Sequence, residues 1–136
     1  MTRELLILIV EDDAVTAECL SDLLSAAGYS TRVLAAPRTI AAVRQTRPDL
    51  VLLDLVFPEV RGEELLQALR SDAELAGLPV VLISAVPHLA KVAAGLPVQG
   101  YVAKPFDLDT LLQTVGDLVC RTGTCHAQTH VQWAQA

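Results

Sequence analysis

Three short stretches of this chain are apolar without interruption, and each stops at a polar residue. Leu5 to Val10 runs into Glu11-Asp12-Asp13, Val51-Leu52-Leu53 into Asp54, and Val80-Val81-Leu82-Ile83 into Ser84. A weaker fourth segment, Gln99 to Ala103, ends at Lys104-Pro105. Runs this short, bounded by Gly, Pro and Asp, read as strands buried on both faces. Between them the pattern changes to a helical period. Ala17, Leu20, Leu23, Leu24 and Ala27 form one stripe, closed by Gly28. Asp13 stands where a short acidic side chain can cap that helix. Cys19 is expected on its buried face. Tyr29 to Ala36 is more polar and predicts an edge strand broken by Pro37. Further helices are predicted at Thr39–Arg47, Glu63–Asp72 and Leu108–Cys120, with a short one at Leu89–Ala94.

Five alternations of strand and helix with buried strands imply an α/β fold: a parallel sheet covered by helices on both faces. The 136 residues suit one domain, expected over 1–120, with a polar tail at 121–136 and no output domain. With 52% hydrophobic residues the chain can fill a core, and its net charge of −6 argues against nucleic-acid contact. No apolar run reaches the roughly 18 residues needed to span a membrane, and no signal peptide is evident. The expected location is cytoplasmic. Three cysteines make no disulfide framework, and Cys125-His126 with His130 lacks the second close pair expected of a zinc site.

Candidate chemistry comes from where the strands stop. In a parallel sheet all the carboxyl ends lie along one rim, where ligands of such folds bind. Glu11, Asp12, Asp54, Ser84 and Lys104 would therefore converge. Singly, each reads as a cap, a turn residue or a solvated side chain. Together they require that coincidence at four strand ends. Carboxylates about 4 Å apart repel by roughly 4 kcal/mol at an effective dielectric of 20, so a cluster implies something cationic between them. Oxygen ligands suit Mg²⁺. A divalent ion beside a carboxylate, a lysine and a hydroxyl is equipment for phosphoryl transfer.

At these residues the sequence resembles the receiver domain of two-component response regulators. The matching pieces are Ile9-Val10-Glu11-Asp12-Asp13, Leu52-Leu53-Asp54-Leu55 with Pro58 and Gly62, Ile83-Ser84-Ala85, and Tyr101-Val102-Ala103-Lys104-Pro105-Phe106. The resemblance implies a flavodoxin-like doubly wound sheet of five strands in the order 2-1-3-4-5. It implies Asp54 as phosphoacceptor, with Lys104 and Ser84 contacting the phosphoryl group. It implies Mg²⁺ held by Asp12, Asp54, the Val56 carbonyl and, through water, Glu11. Ser84 and Tyr101 would form a switch, and the Lys104-Pro105 bond would be cis. The implied partners are a sensor histidine kinase or histidine phosphotransfer protein and a downstream protein target. Leu108 to Cys120 and the tail to Trp133 could support a homodimer, with a mostly core helix the commoner explanation of that stretch, and the self-catalysed transfer would be signalling chemistry, not enzyme turnover.

Two features depart from the family pattern. Val56 and Val86 are aliphatic where the attacking water passes, which implies a long-lived phosphoaspartate. Pro87, Gly95 and Pro97 imply a short or displaced fourth helix. Two rival readings remain. One is an unphosphorylated pseudo-receiver acting as a scaffold. The other is a flavodoxin-like enzyme, which would need a Gly- or Ser/Thr-rich phosphate loop where this chain has acids.

Overall fold

The computed structural model describes residues 5–35, 40–55 and 62–121. The expected ligand Val56, the 121–136 tail beyond Arg121, and Cys125, His126 and His130 lie outside them.

The apolar runs are strands: β1 (Leu6–Val10), β2 (Ser30–Leu34), β3 (Leu50–Leu53), β4 (Val80–Ser84) and β5 (Gly100–Ala103). They form one sheet in the order β2-β1-β3-β4-β5, and every pair is parallel. This is the expected doubly wound architecture. The helices between them are α1 (Ala14–Ala26), α2 (Ile40–Thr46), α3 (Gly62–Ser71), α4 (Leu89–Ala94) and α5 (Leu108–Arg121).

Successive strand residues point to opposite layers, so a strand with helices on both sides has no face left for polar residues. Ile7, Ile9, Leu50, Leu52, Val81 and Ile83 pack with α1 and α5 through Leu20, Leu24, Leu111, Val115 and Leu118. Leu8, Val10, Val51, Leu53, Val80 and Leu82 pack with the other layer through Val43, Leu65, Leu66, Leu69 and Leu89. The central strands β1, β3 and β4 are buried nearly throughout, whereas β2 at one edge is not.

Helix ends follow local chemistry. Asp13 caps α1 by accepting from the Thr16 amide at 3.0 Å. Gly28 follows α1 with φ +100, a conformation L side chains rarely adopt. The short α4 begins at His88, which is left-handed (φ 57) and makes no side-chain cap. One expectation is corrected: Cys19 is exposed, not buried. The stripe that packs is Ala17, Leu20, Leu24 and Ala27, and Cys19 falls on the side of the helix away from it.

Candidate phosphoryl-transfer site

Each strand end is held by the sheet itself. The ladder continues one residue past the strands at three places. The Glu11 amide donates to Leu34 O at 3.1 Å, the Asp54 amide to Val10 O at 3.1 Å, and the Lys104 amide to Ser84 O at 2.9 Å. Each of these residues is thus anchored to the last residue of a neighbouring strand. Their side chains have little choice but to leave the sheet at the same rim.

Among the described residues, the buried polar or charged ones are Glu11, Asp54 and Ser84. All three were singled out from the sequence. Buried carboxylates are costly unless paired, and these are paired. Lys104 Nζ lies 2.5 Å from Glu11 Oε1 and 3.0 Å from Asp54 Oδ2. The remaining oxygens are also occupied. Glu11 Oε2 accepts from the Asp13 amide at 3.2 Å, and Asp54 Oδ1 accepts from the Leu55 amide at 2.7 Å.

Burial pushes the Glu11 carboxyl above the usual carboxylate range, and its hydrogen bond with Lys104 only partly offsets this. Burial alone would lower the Lys104 ammonium. Its hydrogen bonds to Glu11 and Asp54 outweigh that and hold it above its ordinary value. Lys104 is therefore a permanent cation at neutral pH.

One ammonium does not balance the acids. Glu11, Asp12 and Asp54 each offer a carboxylate oxygen, and these lie within 4.8 Å of one another. Asp12 is exposed, so the cluster opens to solvent on its side. An oxygen-only donor set with one wet flank fits a hydrated Mg²⁺.

Ser84 Oγ accepts from the Val86 amide at 3.3 Å. Val86 itself packs against the α2–α4 layer of the core. Tyr101 is 45% exposed on β5, so its ring is outside the core in this structure. The Lys104-Pro105 peptide is cis, as expected.

Sequence reasoning did not find the contact that Gly62 makes with this site. A Cβ at Gly62 would stand 2.2 Å from the Asp54 backbone oxygen. Its signals are its place in the family motif behind Asp54 and a glycine at the start of a helix, and neither specifies a contact with the Asp54 backbone.

The family model of the response regulator receiver domain matches residues 7–116. The DNA-binding response regulator MtrA of Mycobacterium tuberculosis is 38% identical over 112 residues, covering 80% of this chain and 48% of that protein. The chain spans about half the length of the curated relatives it matches. Among solved structures, the signal receiver domain of a signal transduction histidine kinase from Syntrophus aciditrophicus superposes with a TM-score of 0.75 at 30% identity, covering 85% of this chain and 89% of that one. The chemotaxis response regulator CheY4 of Vibrio cholerae gives 0.75 at 25% identity, covering 83% and 97%. The motifs, the strand order and these matches together place the chain in the response regulator receiver domain family.

Proposed function

We propose that this domain takes a phosphoryl group from a histidine kinase or histidine phosphotransfer protein onto Asp54. The observation that carries the reading is Lys104 Nζ bridging Asp54 and Glu11 beside the acid cluster. An Asp54 carboxylate oxygen attacks the donor's phosphorus. The phosphorus–nitrogen bond to the donor imidazole breaks, its electron pair stays on that nitrogen, and the imidazole leaves neutral because its other ring nitrogen already carries a proton. Lys104 stays beside Asp54 and meets the phosphoryl oxygens with a fixed positive charge. Glu11, Asp12, Asp54 and the Val56 carbonyl would hold Mg²⁺, which when bound offsets negative charge on the transferring group.

Phosphorylation adds about −1.5 to −2 charge at a rim already rich in acids. Ser84, whose Oγ accepts from the Val86 amide, has a hydroxyl proton to give to a phosphoryl oxygen. Drawing Ser84 over leaves space for Tyr101 to turn inward. The surface of α4, β5 and α5 then changes its contacts with a downstream protein or with a second copy. The aliphatic Val86 keeps water from the acyl phosphate, so the modified state is long-lived. Nucleic acid is not a direct partner of this acidic domain, and the chemistry is signalling transfer, not turnover. The DNA-binding named for the relatives belongs to chains about twice as long.

The pseudo-receiver alternative has the same fold but no phosphorylation. Incubating the protein with acetyl phosphate and Mg²⁺ and reading intact mass separates the two. The proposal expects the mass of one phosphoryl group, absent in Asp54→Asn. An unmodified wild-type protein would favour the scaffold. A half-life of seconds for the modified protein would contradict the role given to Val86.

A further inference from the structure

We propose that Gly62 is a positioning residue for Asp54, acting through the peptide that joins Asp54 to Leu55. The inference rests on the reading of Asp54 as phosphoacceptor. Gly62 is buried and is the first residue of α3. Its amide donates to Leu55 O at 3.1 Å. An added Cβ would meet the Asp54 backbone oxygen at 2.2 Å, Leu55 Cα at 3.0 Å and the Asp54 carbonyl carbon at 3.2 Å.

All three are backbone atoms, so no flexible side-chain tip can move aside. Gly77, Gly95 and Gly100 are different. A Cβ at Gly77 meets nothing within 4 Å, at Gly100 the nearest atoms are side-chain methyls, and at Gly95 the contact with Val92 O is an ordinary 3.6 Å. Nor can the strand give way easily, because the Asp54 amide is bound to Val10 O. On its other side α3 is fixed by the buried Leu65, Leu66 and Leu69.

The peptide between Asp54 and Leu55 presents two faces to this arrangement. Its carbonyl oxygen is the atom against Gly62. Its N–H, that of Leu55, is the group holding Asp54 Oδ1 at 2.7 Å. Any side chain at 62 pushes the oxygen and so tilts the plane that carries the N–H. The carboxylate then loses the bond that aims Oδ2 at Lys104. The missing side chain thus sets the aim of the nucleophile, and small errors of aim cost large factors in rate.

The test compares Gly62→Ala with Gly77→Ala, the latter an open position. Gly62→Ala is expected to slow phosphorylation by saturating acetyl phosphate roughly 10–100-fold per folded molecule. It should also speed hydrogen exchange at the Leu55 amide relative to its neighbours in β3. Gly77→Ala should change neither. A Gly62→Ala protein that is only less stable, with wild-type rate and Leu55 exchange, overturns the proposal. Should that variant not fold, the coupling is read from the other end in Asp54→Asn. There the Gly62 amide resonance should move with that of Leu55. Movement at Leu55 alone overturns the proposal. The exchange and resonance readouts need no phosphorylation, so they stand even if wild-type protein takes no phosphoryl group and the reading of Asp54 fails.

Discussion

Lys104 and Arg70 each tie distant segments together, at opposite rims of the same sheet, and their partners differ in kind. Lys104, beyond the carboxyl end of β5, bonds two carboxylates. Arg70, in the last turn of α3, lies near the amino ends of β4 and β5. It donates to Pro97 O at 2.9 Å, Ala76 O at 3.0 Å, Leu78 O at 2.7 Å and Gln99 Oε1 at 2.8 Å. The same Gln99 oxygen accepts the Val80 amide at 2.8 Å. Among the described residues none of Arg70's partners is a carboxylate, and burial lowers the pKa of its guanidinium.

The difference separates a rim that can be changed from a rim that is fixed. The bonds of Lys104 are to charges, and a metal ion or a phosphoryl group alters the charge around it. Four neutral oxygens offer no such handle. Arg70 holds the turn before β4 to the turn before β5, while the other end of each strand faces the acids. Between them α4 is held unequally. The segment after it is clamped by Arg70 through Pro97, and its start at His88 has no side-chain cap.

The largest effect should come from Lys104→Met. Loss of a preorganised charge at a reacting group costs about 10²–10³ in rate. Phosphorylation by acetyl phosphate should slow by that order with the fold intact by circular dichroism. A rate within severalfold of wild type would remove Lys104 from the chemistry.

At the fixed rim, Arg70→Met leaves carbonyls without their donor, and should cost about 2–3 kcal/mol in urea unfolding. Its phosphorylation rate should match wild type. A slower rate with unchanged stability would mean that the two rims are not separate in the way described.

A smaller effect of opposite sign is expected at Asp12, whose charge is exposed and adds to the repulsion in the cluster. Asp12→Asn should stabilise the Mg²⁺-free protein by about 1 kcal/mol and weaken Mg²⁺ binding. Lower stability without Mg²⁺ would show that the acids do not strain the site.

The smallest expected effect is a pH dependence at Glu11. Its folded pKa is raised from 4.5, with burial the main cause. The folded state therefore holds this proton more tightly than the unfolded one. The contribution to stability is present in full below 4.5 and is lost as pH rises through the raised value. Relative to Glu11→Gln, metal-free wild type should lose stability over that interval. A relative gain would contradict the desolvation argument.

The rim of the acids and Lys104 was legible in the sequence and the rim of Arg70 was not, for a physical reason. A buried strand announces its end by the first residue that cannot be buried, so Glu11, Asp54, Ser84 and Lys104 stand out. The strand order itself came with the family resemblance. Arg70 bonds mainly to backbone carbonyls, which every residue carries, so nothing at Ala76, Leu78 or Pro97 marks them as its partners. A basic residue in a last helical turn also has an ordinary explanation in the helix dipole. Cys19 was misplaced because α1 is rich in small and apolar residues on several sides. Val15, at 76% exposure, shows how little apolarity alone fixes a face there. The start of α3 moved from Glu63 to Gly62, a one-residue shift that turns a loop glycine into a helix residue packed on Asp54.

The central claim is that the nucleophile at this rim is Asp54. An acyl phosphate is cleaved by borohydride to leave homoserine in place of the modified aspartate. Treating acetyl phosphate-modified protein in this way and mapping its peptides locates the residue directly. The account predicts homoserine at position 54 and unaltered acids at Asp12 and Asp13. Homoserine at either of those positions, or none anywhere in a protein that had gained phosphoryl mass, would contradict it.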